Sequence, residues 1–310
     1  VVNRFMYIDR AVIEVNGGCN YTCKMCPQTK PDGKTGARGK KWLTKMPLDV
    51  FEDLVVQMQP NVVNLEGSGE ATLNRDLPKY IEIVKKHGAK AYIFSNGSKM
   101  HGQFMRDCVG AGLDFFRFSI IGYDKETYQQ WMNASNFDSV CENMYEMRRH
   151  ASGTCQVASY HLILNNDQVD YERDRYLEVS RGGPVEIWKM HNWAGGYESD
   201  RSGSKRTCGR PFSPDAVIRA NGAVHPCCQV LGKDDEATLG SIYDNPFHEI
   251  WNGAAYSNLR ERHTAGDYPS FCKDCDFLID DPEVLVHSNY AETNVMNGAS
   301  FTLSDFQGGL

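Results

Sequence analysis

The sequence predicts an α/β fold in which six strands alternate with helices over residues 11 to 193, followed by a small β-hairpin and helix. Three observations carry this. Apolar or alternating runs recur between stretches of helical spacing, the pattern of parallel strands joined by right-handed crossovers. Short motifs rich in Gly, Ser and Asn fall where these strands end, and in such folds the reactive site lies at the C-terminal ends of the strands. Eight of the eleven cysteines fall in groups: Cys19, Cys23 and Cys26; Cys208; Cys227 and Cys228; Cys272 and Cys275.

Ala11 to Asn16 alternates apolar and polar residues and runs into Gly17-Gly18, a strand entering a cysteine loop. Lys30 to Lys45 is basic and glycine-containing, a loop. Pro47 to Gln59 has helical spacing, with Leu48, Phe51, Leu54, Val55 and Met58 on one side and Pro47 near its start. Asn61 to Leu65 is a strand ending in Gly67-Ser68-Gly69-Glu70, and Asn74 to His87 a helix stopped by Gly88. Ala91 to Phe94 is a strand ending in Ser95-Asn96-Gly97, then Met100 to Val109 is helical and Phe115 to Ile121 is a strand. Helices over Lys125–Trp131 and Phe137–His150, a strand over Gln156–Leu164, a helix over Gln168–Ser180 and a strand over Val185–Met190 complete the series. Six such units fit either an open doubly wound sheet or a partial barrel. Residues 194 to 207 read as a linker. Beyond it, Asn221-Gly222 between two short apolar runs is a hairpin signal, and Asn245 to His263 reads as one helix. The tail from Asp280 has weak periodicity and is expected either to be mobile or to fold back as a lid.

Composition narrows the function. A net charge of −7 argues against general nucleic-acid binding, which relies on basic surface. No stretch approaches the roughly 18 apolar residues of a membrane helix, and no signal peptide is visible at the N-terminus. Clustered rather than dispersed cysteines suggest metal ligation in a reducing compartment, so a cytoplasmic location is expected.

Three thiols in Cys19-Asn20-Tyr21-Thr22-Cys23-Lys24-Met25-Cys26 cannot share one face of a strand or regular helix, but can converge from a loop. Thiolates select zinc, copper(I) or iron–sulfur clusters. Three ligands fall one short of a structural zinc site, whereas a cubane bound by three leaves one iron open. Cys208, Cys227, Cys272 and Cys275 make a second set of four, which suits zinc or a fully ligated cluster; spacing does not choose between them. Cys228 stands beside Cys227; adjacent residues rarely ligate one metal together, so one of the two reads as a spare. Cys108, Cys141 and Cys155 read as small core hydrophobes, with a hydrogen-atom-donating thiol as the alternative for Cys141 or Cys155.

The Cys-x3-Cys-x2-Cys loop resembles the cluster loop of radical S-adenosylmethionine (SAM) enzymes, and Gly67-Ser68-Gly69-Glu70 resembles their G-G-E motif. Asn221 to Cys228, Leu239-Gly240-Ser241-Ile242 with Glu249-Ile250-Trp251, and Phe271 to Cys275 resemble the twitch domain, a shortened SPASM domain. The resemblance covers residues 10 to 278. It implies a partial (β/α)6 barrel over 1–193, a linker over 194–207, a twitch auxiliary-cluster domain over 208–279 and a tail over 280–310. It further implies SAM and two [4Fe–4S] clusters, the first on Cys19, Cys23 and Cys26, the second on Cys208, Cys227, Cys272 and Cys275. Tyr21, Gly67, Gly69, Glu70, Ser95, Asn96 and Ser119 are the expected SAM contacts, with Glu70 pairing the SAM ammonium.

Within that family the arrangement is especially like the enzymes that oxidise an aminocyclitol alcohol to a ketone. The expected function is therefore dehydrogenation of a carbohydrate or aminocyclitol alcohol, with an external electron donor such as flavodoxin or ferredoxin. Maturation or epimerisation of a ribosomally made peptide is the second enzyme reading. A zinc-stapled scaffold or electron carrier is the non-catalytic one. Arg117, His161 and His191, in or after the strands, are the candidate bases for a hydroxyl proton.

Overall fold

A computed structural model describes residues 8–28, 43–198, 203–279 and 285–290. The expected Lys30–Lys45 loop lies outside the described residues up to residue 42, as do residues 199–202 of the linker and the tail from 291.

Strands β1 (Arg10–Ile13), β2 (Val62–Asn64), β3 (Lys90–Ser95), β4 (Phe115–Ser119), β5 (Gln156–Ile163) and β6 (Val185–Lys189) pair in parallel, each with its sequence neighbour. A doubly wound sheet needs a point where strand order reverses. None occurs between β1 and β6, so same-handed crossovers place the helices on one side and leave the other face open. That settles the two architectures left open by sequence in favour of the partial barrel.

The helices seat themselves by spacing. In α1 (Leu48–Met58), Phe51, Leu54, Val55 and Met58 are buried; in α2 (Leu77–Lys86), Leu77, Tyr80, Ile81 and Val84 repeat the same intervals. Helix α3 spans Gly102–Gly110. Helix α4 (Lys125–Met132) starts at a capping box in which the Asp124 carboxylate accepts from the Thr127 N–H at 2.9 Å. Helix α5 (Phe137–His150) buries Val140, Cys141, Met144 and Met147, and α6 (Val169–Ser180) packs on β5 and β6.

The expected hairpin is present. Strands β7 (Asp215–Ile218) and β8 (Ala223–His225) are antiparallel across a turn in which Gly222 holds a left-handed φ of 86°. β7 also pairs in parallel with β1, and β9 (Gly240–Ser241) follows β8, so the hairpin continues the barrel sheet. The helix expected over 245–263 is two: α7 (Phe247–Trp251) and α8 (Ala254–Ala265). Gly253 breaks it by taking an extended backbone (φ −76°, ψ 173°) as the N-cap of α8. At the opposite edge, β10 (Leu285–Ser288) from the tail pairs antiparallel with β6.

Candidate functional site

The open face of the sheet borders a cavity of about 420 Å³. Cys19, Cys23 and Cys26 line one part of it, and Cys208, Cys227 and Cys228 another. Glu70, Ser119, Arg117 and Glu186 come from the strands and strand ends between them.

The first cysteine loop is clamped by backbone. Gly17 N–H donates to Thr44 O and Glu70 N–H to Gly18 O, each at 2.8 Å, and Lys24 N–H donates to Trp131 O at 2.8 Å. The Asn16 amide donates to Gly18 O at 2.7 Å and Glu70 O at 2.9 Å, tying the loop to the Gly67–Glu70 turn. The two glycines of that turn serve this packing. A Cβ on Gly67 would lie 2.4 Å from Glu14 Oε2, and one on Gly69 would lie 2.0 Å from Asn16 O. Both are expected SAM contacts, and both line the cavity; the contact that forbids a side chain is with the chain itself.

Glu70 is buried and held both by the turn that follows it and by the end of β3. Its Oε1 accepts from Thr72 N–H (3.0 Å), Thr72 Oγ1 (2.6 Å) and Ser95 Oγ (2.6 Å), and its Oε2 from Asn96 N–H (2.9 Å). Oε2 keeps acceptor capacity for a ligand ammonium, since a carboxylate offers about four lone-pair sites. Ser95 spends its hydroxyl proton on Glu70 and accepts from Gly97 N–H, so it positions Glu70. Asn96 donates its amide to Asn20 in the cysteine loop at 3.0 Å. Tyr21 donates its hydroxyl to Asn136 Oδ1 at 2.7 Å, which fixes its ring at the cavity wall.

Burial pushes the Cys19 thiol up to about 12, with Glu70 and Cys26 adding to the rise, and Cys23 rises for the same first reason. Burial likewise raises Cys227 to about 12 and lifts Cys272 and Cys275, each further raised by charge on Cys227 and Cys208. The four thiols of the second set therefore lie close enough to act on one another's ionisation, although among the described residues no three Cys, His, Asp or Glu side chains are gathered tightly enough to hold a metal ion. Cys228 lines the cavity too and acts on Cys227 as well as on Arg210 and Tyr160, so its charge does not set it apart from the second set. Cys108, Cys141 and Cys155 are buried in the core, pushed up to about 12 by desolvation, and none lines the cavity. The alternative of a thiol donor at Cys141 or Cys155 is thereby corrected.

Two of the three candidate bases change. His161 is 0% exposed and faces the helices: its ring stacks on Tyr176 at 4.4 Å and its Nδ1 accepts from Gly122 N–H at 3.2 Å. Tyr160 and Leu162, its neighbours in β5, take the cavity side. Arg117 does line the cavity but is no base. Its guanidinium lies between the rings of Phe94 (3.7 Å) and Tyr160 (4.2 Å) and donates to Glu186 at 3.2 Å. Burial opposes its charge, but Glu186, with Tyr160, Tyr290 and Glu66 adding to it, more than offsets this, so Arg117 keeps its proton. His191 lines the cavity against Trp193, ring centroids 4.3 Å apart.

Sequence reasoning missed Glu66. It follows the second strand directly, lines the cavity, and accepts from the Asn64 amide at 3.1 Å. Burial raises its carboxyl, against the lowering influence of Arg117 and Asn64. Its place at a strand's C-terminal end was a usable signal. Several buried polar atoms of cavity residues lack a protein partner among the described residues: Asn64 Oδ1, Arg117 Nε, Trp193 Nε1 and Gln229 Oε1. Soft thiols at two places and unsatisfied polar groups between them fit a cavity that receives clusters and polar ligands.

The radical SAM superfamily model matches residues 13–172, and the SPASM iron–sulfur cluster-binding domain matches 208–276. The chain belongs to the radical SAM superfamily. It is a radical SAM enzyme with an auxiliary-cluster domain, and these domains imply SAM and [4Fe–4S] clusters.

Among solved structures, BtrN in complex with AdoMet and 2-DOIA is similar at a TM-score of 0.58 and 16% identity, covering 91% of this chain and 98% of that one. Streptococcus suis SuiB bound to precursor peptide SuiA gives 0.63 at 13% identity, covering 88% and 70%. Among curated proteins, a tungsten-containing aldehyde ferredoxin oxidoreductase cofactor-modifying protein of Pyrococcus furiosus is 19% identical over 85% of this chain and 86% of its own length. A protein described as a probable GTP 3′,8-cyclase of Sulfolobus acidocaldarius is 21% identical over 58% of this chain, which spans 55% of that relative. No helix among the described residues is long and apolar enough to cross a membrane.

Proposed function

We propose that this enzyme dehydrogenates an alcohol carbon of a small carbohydrate or aminocyclitol. The observation that carries the reading is that a single cavity reaches from Cys19, Cys23 and Cys26 to Cys208 and Cys227. Residues 1–193 form the SAM-cluster unit, 194–207 its linker, and 208–279 the unit in which Cys208, Cys227, Cys272 and Cys275 hold the second cluster. Cys19, Cys23 and Cys26 would hold the cluster that works with SAM, and Cys208, Cys227, Cys272 and Cys275 the second; together these groups would supply hydrogen-atom abstraction from the substrate carbon and a one-electron acceptor.

The chain's own groups do the rest. Glu70 Oε2 pairs the SAM ammonium, and Tyr21, Asn96 and Ser119 border SAM. Glu66 receives the hydroxyl proton from the carbon that loses hydrogen, so the C–OH becomes C=O; a carboxyl raised by burial is a stronger base than an exposed one. Arg117 and Glu186 present paired charge to a polyhydroxylated ligand, and His191 flanks it. An external flavodoxin- or ferredoxin-like protein supplies electrons to the first cluster.

Peptide modification is the second reading, supported by the fold shared with SuiB. The test incubates the anaerobically reconstituted enzyme with SAM, reductant and a panel of aminocyclitols, sugars and short peptides. Equal amounts of 5′-deoxyadenosine and a carbonyl product from an aminocyclitol or sugar are expected. A product from peptides alone, or an epimer with no change in oxidation state, would overturn the dehydrogenase reading.

A further inference from the structure

Cys208-Gly209-Arg210 makes a tight reversal directly after the first thiol of the second set. Gly209 holds a φ of 75°, in the left-handed region; Phe212 and Ser213 donate their N–H groups to its carbonyl at 2.9 and 3.1 Å. Ser213 also donates its hydroxyl to Arg210 O at 3.0 Å. The reversal returns the Arg210 side chain to the cavity wall that Cys208, Cys227 and Cys228 share. Its guanidinium lies 5.1 Å from the ring centroid of Phe277, two residues beyond Cys275. Among the described residues no carboxylate forms an ion pair with Arg210, although Asp215 acts on it from further away. Its charge is therefore largely unspent.

We propose that Arg210 sets the reduction potential of the iron–sulfur cluster held by Cys208, Cys227, Cys272 and Cys275. This rests on the reading of those four cysteines as its ligands. A cluster gains one negative charge on reduction. A guanidinium on the same cavity wall as two of its thiolates, in a largely buried setting of low dielectric, favours the reduced form and raises the potential. Arg210 thus makes the second site a better electron acceptor on the side that faces substrate. The effect belongs to the resting protein and needs no knowledge of the substrate.

The test is a mediated reductive titration followed by electron paramagnetic resonance, with iron and sulfide assays. It uses the full chain carrying Cys23→Ala/Cys26→Ala, so that the second cluster alone is read. Adding Arg210→Gln is expected to lower the reduced-to-oxidised ratio at fixed poise about tenfold, a 59 mV negative shift for a one-electron couple. Arg210→Lys, which keeps the charge, restores most of it. An unchanged midpoint in Arg210→Gln with about four irons retained would overturn the proposal. Equal shifts in the Gln and Lys variants would also overturn it, since they would reflect lost packing on Phe277. Absence of a cluster in the background variant overturns the ligand reading, and the proposal with it.

Discussion

Asn192 and Asp276 bind each other reciprocally: the Asn192 N–H donates to Asp276 Oδ2 at 2.8 Å, and the Asp276 N–H donates to Asn192 Oδ1 at 3.1 Å. The Asn192 side chain also donates to Asp274 O at 2.8 Å and accepts from Gly195 N–H at 3.1 Å. One residue thus fixes the chain after β6, with His191 and Trp193, to the segment Asp274–Asp276 that contains Cys275. Trp193 and Ala194 take left-handed φ values of 50° and 55°, which need such support.

Replacing Asn192 by Ala leaves buried donors and an acceptor unpaired. Each costs roughly 1–3 kcal/mol. The expected result is a lower urea midpoint and faster loss of iron from the second site, with the first site unaffected. Iron release to a chelator, followed by absorbance in the Cys23→Ala/Cys26→Ala and the Cys272→Ala/Cys275→Ala backgrounds, measures each site separately.

Glu66→Gln removes the proposed proton acceptor. Product formation is expected to fall roughly 100-fold or more, while reductant-driven SAM cleavage without substrate stays near wild type. Because burial raises the carboxyl, wild-type turnover should fall as pH drops through that raised value, and the variant should lose this acid limb. Stability runs the other way. A raised folded-state value contributes stability at low pH that is lost as pH rises through it, so Glu66→Gln is more stable than wild type at neutral pH only. Urea melts at two pH values check the sign.

Gly69→Ala places a methyl where Asn16 O already lies 2.0 Å away. The turn must move, at a cost of about 1–3 kcal/mol, and with it the loop of Cys19, Cys23 and Cys26. Lower thermal stability and reduced iron incorporation at the first site are the expected readouts.

Burial lowers His161, so folding holds it neutral. A depressed value means stability that is present above the unfolded value of about 6.5 and lost as pH falls below it. His161→Gln should flatten that part of the stability–pH curve. Turnover should change less than about threefold, because the residue lies on the helix side of β5.

Much of this was legible in the sequence, for reasons that lie in local chemistry. Asn221-Gly222 needed a turn with positive φ at Gly222, and the apolar intervals of α1 and α2 allowed only one buried face. The choice of partial barrel was not legible, since periodicity carries no strand order. Nor was the side of His161: alternation separates Tyr160 from His161 but does not say which faces the cavity. The β4–β5 register does, by setting Tyr160 beside Ser119. Gly253 looked like an interior helix residue because nothing local announces an extended N-cap. Glu186 stood in plain view as a lone carboxylate in a buried strand, Val185–Lys189, and gains its meaning only from Arg117 across the sheet.

The dehydrogenase reading requires an electron acceptor on the second cysteine set. Iron, sulfide and zinc content after anaerobic reconstitution tests it most directly, in wild type, Cys23→Ala/Cys26→Ala and Cys272→Ala/Cys275→Ala. About eight irons per chain are expected in wild type and about four in each double variant, with no zinc. About four irons and one zinc in wild type, with the zinc lost in Cys272→Ala/Cys275→Ala, would contradict it and leave no acceptor for a net oxidation.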